Sequence, residues 1–277
     1  MWDRVDTTRS REGAEAVAFL ARSRSRASIL EFVSRRDGVT EREIRERVDC
    51  SRTTVRRNIE SLLERDWIEE RGREYSASAS GGIIADRFSE MVDTVETTAR
   101  LQPFLRWMPA DEFGLDVRAL RDAAVVAGDA GDPLAAVNRI VRRLEETDRW
   151  RAVSPFVALH PFEVLHERTV QGDLSAELVV ASPVAETLRS NAAYSGLTRE
   201  MLDSGALDVY VCDREVPYYL GLLERRVQIG AENEGRPRAL IEDASEPVRS
   251  WATDAYEDFR DAARPLSGSA VSVTNRS

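Results

Sequence analysis

The sequence contains no lysine, and it has only two cysteines and two histidines. The cysteines, Cys50 and Cys212, are too few for a disulfide framework and lack metal-ligand spacing. No apolar run approaches the ~20 residues that a membrane-spanning helix needs. Residues 1–13 are charged and carry no apolar signal-peptide region. The sequence therefore predicts a cytoplasmic protein with no membrane partner and no bound metal.

Signatures of catalysis and of cofactor binding are also missing from the sequence. It has no glycine-rich phosphate loop, no His-Glu-x-x-His motif and no paired-cysteine motif. Asp129 and Asp132 lie in a glycine-rich loop, where turn residues are expected. We therefore expect no cofactor and a protein that is not an enzyme.

The basic residues are all arginine, and 39 of them stand against 49 acidic residues, which gives a formal net charge of −10. An acidic composition without lysine is typical of proteins that stay dissolved in molar salt, and it predicts a halophilic archaeal source. The charge is uneven, because residues 1–80 hold 17 arginines and 16 acidic residues while residues 81–277 hold 22 and 33. The N-terminal part is thus better suited to approach phosphate groups.

Residues 40–78 predict a helix, a tight turn, a second helix and a hairpin in that order. Thr40 and Glu43 have the spacing of a capping box at the start of the first helix. Ser51 can cap the second helix, in which apolar residues recur at helical spacing. The expected buried positions of that second helix are Val55, Ile59, Leu62 and Leu63.

The other face of the second helix carries arginine, threonine and asparagine, and such side chains pair with base edges in the major groove. The tip Arg71-Gly72-Arg73 predicts a hairpin wing whose arginines can reach phosphate or the minor groove. An arginine-rich helix face is often merely solvated, but here the elements follow the order of a winged helix. The predicted DNA-binding residues are Ser51, Arg52, Thr53, Thr54, Arg56, Arg57, Asn58, Arg71 and Arg73.

Residues 81–108 are expected to form a linker helix after a flexible break at Gly81 and Gly82. Apolar residues in it are spaced four, three and four positions apart, as in a short coiled-coil seam. Such a seam favours a homodimer that sets the distance between two wings. The alternative is a helix that packs only on its own chain. The predicted dimerisation residues are Ile84, Phe88, Met91 and Val95.

Residues 109–265 alternate short apolar runs with helical segments and predict an α/β domain, followed by a flexible tail over residues 266–277. The predicted fold class is therefore α+β, with a winged helix-turn-helix domain at residues 1–80, the linker helix and a C-terminal α/β effector or assembly domain. Open α/β sheets bind ligands beyond their strand ends. The candidate residues for a small-molecule effector there are Ser154, His160, Ser182, Asp213, Tyr218 and Tyr219. The alternative is a domain that only dimerises or docks another protein.

Four segments of the chain resemble one family of proteins. They are residues 20–32 (LARSRSRASILEF), 45–69 (RERVDCSRTTVRRNIESLLERDWIE), 218–243 (YYLGLLERRVQIGAENEGRPRALIED) and 246–266 (EPVRSWATDAYEDFRDAARPL). They are similar to haloarchaeal winged-helix transcriptional regulators with a C-terminal methanogenesis-regulator middle domain, and distantly similar to TrmB-type sugar-responsive regulators. The resemblance spans about residues 15–266. It implies a transcription factor that reads double-stranded DNA through the segment matching residues 51–58.

One pattern favours an enzyme instead. His166, Arg168 and Asp173 have the spacing of the phospholipase D signature His-x-Lys-x4-Asp, with arginine in the lysine position. That chemistry uses a nucleophilic histidine in each of two motifs, whereas the other histidine, His160, is not followed by the pattern. His166 is also expected in a helix, where the signature requires a strand and a loop. A degenerate phospholipase D-like enzyme is therefore the second alternative, after a protein-docking or assembly module.

Overall fold

The computed structural model describes residues 7–109 and 113–266, with only the backbone for residues 7–10. The chain divides into two compact units, Met1–Val95 and Glu96–Ser277. The predicted tail, apart from Leu266, lies outside the described residues, as do the first six residues of the predicted N-terminal domain and residues 110–112. The boundaries and the functions that the sequence analysis assigns to the domains stay predictions.

The first unit consists of helices around a small antiparallel sheet. Its elements are α1 (Thr7–Ala21), α2 (Arg24–Ser34), β1 (Val39–Thr40), α3 (Glu41–Arg47), α4 (Arg52–Leu63), β2 (Ile68–Arg71), β3 (Glu74–Ala77) and the first part of α5 (Ala79–Leu105). The three strands have the order β1-β3-β2. One hydrophobic core joins them, formed among others by Ile29, Val33, Ile44, Val55, Ile59, Leu62, Trp67 and Ala85.

Local sequence determines where α3 begins. The Thr40 backbone N–H donates to Glu43 Oε2 over 2.8 Å, and the Glu43 N–H donates to Thr40 Oγ1 over 3.3 Å. This reciprocal pair is the capping box that the sequence predicted. It satisfies two of the N–H groups that a helix start leaves without an intrahelical partner.

The glycine pair at the start of α5 is not a break, since both residues lie inside the helix. A Cβ at Gly81 would lie 1.7 Å from the Trp67 backbone oxygen, while a Cβ at Gly82 would meet nothing within 4 Å. Glycine at position 81 therefore lets α5 approach the backbone at Trp67. The expected flexible break is wrong because this close packing, and not flexibility, requires the glycine.

The second unit is a mixed sheet with helices on both faces. After a 3₁₀ turn (Val117–Leu120) its elements are β4 (Ala124–Ala127), α6 (Ala135–Glu146), β5 (Arg149–Ser154), α7 (Leu159–Gln171), β6 (Ser175–Ala181), α8 (Ser182–Ser190), α9 (Ala192–Ser204), β7 (Leu207–Cys212), β8 (Tyr219–Leu223), β9 (Val227–Asn233), β10 (Arg236–Asp243), α10 (Glu246–Asp261) and β11 (Ala263–Pro265). The eight strands have the order β11-β7-β6-β5-β8-β9-β10-β4. Pairs β5–β6 and β6–β7 are parallel, whereas the other pairs are antiparallel.

Each face of this sheet has its own core. One core includes Leu101 and Phe104 of α5, with Val248, Ala252, Tyr256 and Phe259 of α10. The other core includes Ile140, Leu144, Phe162, Leu165, Leu188 and Met201, from helices α6 to α9. The predicted mixed α+β architecture is confirmed. Among the described residues, no helix is long and apolar enough to span a bilayer.

Candidate nucleic-acid interface

Helix α4 begins at a capped turn. Ser51 is extended, and its hydroxyl accepts a hydrogen bond from the Thr54 N–H over 3.2 Å. The Ser51 and Thr54 hydroxyls also share a hydrogen bond of 2.9 Å. Both side chains therefore take part in capping the start of the helix, and they fix the direction in which the following residues leave the turn.

Four of the predicted DNA-binding residues are exposed together on the first two turns of α4. They are Arg52, Thr53, Arg56 and Arg57. Residues four apart lie one above the other on a helix, so Arg52 stands below Arg56 and Thr53 below Arg57. The structure thus brings three guanidinium groups and one hydroxyl to a single exposed face.

Asn58 is a correction to the predicted face. The residue is 1% exposed, and its Nδ2 donates to the Ser25 hydroxyl over 2.9 Å. It follows Val55 by three positions and precedes Leu62 by four, so it lies on the buried side of the helix. The expected outward position of Asn58 is therefore wrong, and the spacing from Val55 and Leu62 was the signal that could have shown it.

Several of the exposed arginines already pair with carboxylates of their own unit. The ion-pair distances are 3.7 Å for Arg52–Glu41, 3.1 Å for Arg56–Glu60 and 3.0 Å for Arg71–Glu69. Hydrogen bonding to Glu60 raises the pKa of Arg56 above its ordinary value. Exposed pairs of this kind contribute only ~0–1 kcal/mol, so a stronger anion or base edge can replace the carboxylate.

The β2–β3 hairpin carries the predicted wing. Arg71 pairs with Glu74 across the ladder, which leaves Gly72 and Arg73 as the two-residue tip. Gly72 has a φ of +70°, a conformation that glycine adopts without strain. The tip arginines are exposed, as the sequence predicted, but their contact with nucleic acid stays a prediction.

Two arginines that the sequence did not single out lie beside this helix. The guanidinium carbons of Arg26 and Arg65 lie 3.8 and 4.0 Å from the centre of the Phe19 ring. The Phe19 ring in turn meets the Trp67 ring edge-on, with centres 5.6 Å apart. These contacts join α1, α2 and the segment after α4, so local sequence gives no signal for them.

The predicted dimer seam on α5 is divided between two environments. Ile84 and Phe88 pack against the core of the first unit. Met91 and Val95 are 41% and 62% exposed, and Ile83, which the seam did not include, is 65% exposed. The apolar surface of the helix therefore consists of Ile83, Met91 and Val95.

The predicted effector residues of the second unit do not form one site. Tyr218 packs in the core on the α10 face of the sheet, and Tyr219 packs in the core beneath α6 to α9. The prediction that both tyrosines belong to one effector site is wrong, because consecutive residues of an extended chain point to opposite faces. Asp213 lies elsewhere, where hydrogen bonds from Arg264 and then Ser182 lower its pKa. His160 is exposed at the start of α7.

An apolar cavity of about 60 Å³ lies on the α6 to α9 face, at the end of β5. Ser154 and Tyr219 line it together with Trp150, Phe156, Phe162 and Leu165. The Tyr219 hydroxyl donates to Gln228 Oε1 over 3.2 Å, and burial raises its pKa. Ser154 donates to the Phe156 carbonyl over 2.6 Å. Both hydroxyls thus have protein partners, and the remaining lining is mainly apolar.

The residues with the phospholipase D-like spacing make contacts within the fold. His166 lies in α7, and its Nε2 is 2.7 Å from Glu200 Oε2. Arg168 donates to the Leu144 carbonyl over 2.9 Å and to the Asp173 carbonyl over 3.0 Å. These bonds fasten the end of α7 and the turn after it. Among the described residues, no group of three or more His, Cys, Asp or Glu side chains could hold a metal ion.

Two family models match the chain. Residues 133–262 match the middle domain of the methanogenesis regulatory protein FilR1, and residues 14–100 match the HVO_A0261 N-terminal domain. The first match supports assignment of the chain to the class of transcription regulators. None of the curated proteins matches the chain.

Solved structures are only distantly similar to the chain. TrmBL2, an archaeal chromatin protein, has a TM-score of 0.40 at 11% identity, over 90% of this chain and 98% of that chain. Nuc, a phospholipase D family member from Salmonella typhimurium, has a TM-score of 0.40 at 13% identity, over 52% of this chain and 97% of that chain. NucT from Helicobacter pylori has a TM-score of 0.40 at 10% identity, over 52% and 98%. Likeness at this level adds no evidence on function.

Proposed function

We propose that this protein is a sequence-specific DNA-binding transcriptional regulator whose residues 1–80 form a winged-helix reader. The observation that carries the proposal is the exposed N-terminal face of α4, where Arg52, Thr53, Arg56 and Arg57 stand together beside the turn capped by Ser51. The match of residues 133–262 to a methanogenesis regulator supports the regulatory role. The wing of Arg71 and Arg73 contributes phosphate or minor-groove contacts.

Helix α4 enters the major groove in this proposal, and its Arg52 and Arg56 read guanine. A guanidinium that bonds guanine O6 and N7 together discriminates by ~1–3 kcal/mol against a wrong base. Arg52 and Arg56 must first leave Glu41 and Glu60, which lie 3.7 and 3.1 Å away. Because such exposed pairs are weak, the exchange favours a base edge of matching geometry and disfavours a poorly fitting one.

The proposed setting is the cytoplasm of a halophilic archaeon, where molar salt weakens every phosphate contact. Binding there depends on base-edge contacts and on the planar, weakly hydrated guanidinium. A composition with 39 basic residues and no lysine fits this requirement.

The active form in this proposal is a homodimer that places two wings on paired half-sites. The exposed residues Ile83, Met91 and Val95 give α5 an apolar stripe that a second copy of the helix can cover. Two-fold symmetry of the protein then predicts a pseudo-palindromic operator.

The second unit acts as the effector domain in this proposal. The apolar cavity at the end of β5 is where a small apolar molecule would bind, because its lining offers hydrocarbon and two hydroxyls that are already bonded. A melting temperature raised by such a molecule would support effector binding. If no molecule raises it, a domain used only for assembly becomes the better description.

The test of DNA reading is selection of genomic fragments by the purified protein in molar KCl. The wild type is compared with the Arg52→Ala/Arg56→Ala double variant and with a matched Arg11→Ala/Arg35→Ala control. The control removes the same charge from the same unit, since Arg11 and Arg35 are also exposed and paired, with Glu15 and Glu31. We expect the wild type and the control to enrich one site and the double variant to enrich none. Failure of the folded wild type to enrich any sequence contradicts the proposal.

A further inference from the structure

Two arginines of the first unit stack on one phenylalanine, and a third lies near them. Arg26 and Arg65 stack on Phe19 at 3.8 and 4.0 Å from its ring centre. The third arginine, Arg57 of α4, lies near enough to Arg26 for its charge to lower the pKa of Arg26. The hydrogen bond between Asn58 and Ser25 joins α4 to α2 over 2.9 Å, at the residues that adjoin Arg57 and Arg26 in the chain.

The charges of Arg57 and Arg65 both repel that of Arg26. Burial lowers the pKa of Arg26, and the charges of Arg57 and Arg65 lower it further. Within residues 11–109 and 113–266, no carboxylate forms an ion pair with any of the three. The neighbouring Arg52 and Arg56, by contrast, each have a glutamate. In a chain with more acidic than basic residues, a cluster of uncompensated arginines is suited to hold an anion from outside.

The contacts also prepare the guanidinium groups for an anion. A guanidinium that stacks on a ring keeps its N–H edge free for hydrogen bonds in its own plane. Arg57 and Arg65 are exposed, whereas Arg26 is half-buried and donates to the Phe19 carbonyl over 2.5 Å. Arg57 and Arg65 can therefore contact an anion directly, while Arg26 adds a fixed positive charge behind them.

Arg57 ties the cluster to the face of α4 that is proposed to meet DNA, because it is one turn above Thr53 on the exposed face. We propose that Arg57 and Arg65, backed by Arg26 on Phe19, bind a phosphodiester group of the DNA backbone next to the bases that α4 reads. This inference rests on the proposed DNA-reading function. The cluster fixes the register of α4 in the groove and carries no sequence preference of its own.

The experiment measures affinity for the selected site and for an unrelated duplex over a range of KCl concentrations. The variants are Arg57→Gln, Arg65→Gln and the double variant, with Arg35→Gln as the matched control. We expect each cluster variant to weaken binding to both duplexes by the same factor. The slope of log affinity against log salt should fall by about one for each lost contact. The Arg35→Gln variant should leave the slope unchanged, and melting curves show that each variant is folded.

Removing the charge of single phosphate groups in the DNA shows which phosphate the cluster binds. Single methylphosphonate substitutions are placed along the selected site, and one position should weaken binding of the wild type but not of the double variant. If no position behaves in this way, or if the cluster variants keep the affinity and slope of the wild type, the phosphate site is overturned while DNA reading stands. Inorganic phosphate could also raise the melting temperature of the wild type but not of the double variant, while both proteins bind the duplex equally. That result would assign the cluster to a free anion and would also overturn the proposed phosphodiester site. A wild type that binds no duplex overturns the proposed function and this site with it.

Discussion

Asn58 of α4 donates a hydrogen bond from Nδ2 to the Ser25 hydroxyl of α2, and this bond of 2.9 Å fixes the candidate recognition helix to the rest of its unit. Val55, Ile59 and Leu62 are buried on the same side of α4. The polar pair therefore sits among apolar contacts, where a lost partner leaves a donor or acceptor without water.

The first prediction concerns this pair. Replacing Asn58 by alanine should lower the free energy of unfolding of the first unit by about 1–3 kcal/mol, because the hydrogen bond from Asn58 to the Ser25 hydroxyl is lost and a buried amide is removed. Hydrogen exchange of the α4 amides in the full chain measures the loss. A double-mutant cycle with Ser25→Ala should give a coupling energy of about 1 kcal/mol. Unchanged stability with an altered base preference would instead mean that Asn58 reads DNA.

A second prediction uses the two neighbouring glycines of α5. Gly81→Ala should destabilise the first unit by at least 1–3 kcal/mol, roughly the range for overpacking, since the new Cβ would overlap the Trp67 carbonyl oxygen. Gly82→Ala is the matched control. It meets nothing within 4 Å and should be neutral or stabilising, because alanine favours a helix by about 1 kcal/mol over glycine. The melting temperatures of the two variants should therefore shift in opposite directions, or that of Gly81→Ala should be clearly the lower. Equal melts would contradict the close approach of α5 to Trp67.

The buried carboxylate of Glu242 gives a third prediction. Its side chain is 1% exposed, and Arg143 donates to it over 3.0 and 3.1 Å while Arg139 donates over 3.2 Å. Burial alone would raise the pKa of Glu242, but the hydrogen bonds from Arg143 and Gln228 outweigh it and bring the pKa below the ordinary value. A depressed pKa means that the carboxylate stabilises the fold above pH 4.5, its ordinary value, and that this contribution disappears as the pH falls through the lower folded value.

The measurement is hydrogen exchange of the β9 and β10 amides as a function of pH. Glu242→Gln should lower the stability of the second unit by about 3–5 kcal/mol at neutral pH, because two arginines lose their buried partner. The difference between wild type and variant should shrink as the medium becomes more acidic. Glu146→Gln removes an exposed partner of the same Arg143 and serves as the control, with little expected effect. A difference that does not depend on pH would show that the charge of Glu242 is not what stabilises the unit.

The fourth prediction tests the stripe on α5. Met91→Glu and Val95→Glu place a charge where a second copy of the helix is proposed to pack, so the mass of the protein in solution should fall from that of a dimer to that of a monomer. Asp93→Arg changes the charge on the opposite side of the same helix and should leave the dimer intact. Sedimentation equilibrium in molar KCl distinguishes the two species. A wild-type monomer at all concentrations would remove the dimer from the proposal.

Sequence reasoning predicted the features that depend on neighbours along the chain. The capping box of Thr40 and Glu43 formed as expected. The turn of Glu234 and Gly235, which joins β9 to β10 with positive φ at both residues, is likewise a local feature. Such features are decided by residues within a few positions, and no distant contact has to be known for them.

Features that depend on distant packing were missed or misplaced. Asn58 became buried because Ser25 offered a partner 33 residues away in the chain. The two tyrosines were separated because β8 lies inside the sheet, with helices on both of its faces. The cluster on Phe19 joins α1, α2 and Arg65, and no spacing rule connects such positions.

The carboxylates that hold Arg52 and Arg56 bear on how such a protein would search a genome. If the protein reads DNA as proposed, Glu41 and Glu60 would keep these arginines occupied on DNA of the wrong sequence, and the chain should hold the duplex mainly through phosphates. Such a loose complex can slide from one position to the next with little resistance. In the proposed function the arginines would transfer to guanine at the correct site, and the residence time would lengthen. Removing Glu41 and Glu60 should therefore produce a protein that binds more tightly everywhere and finds its target more slowly.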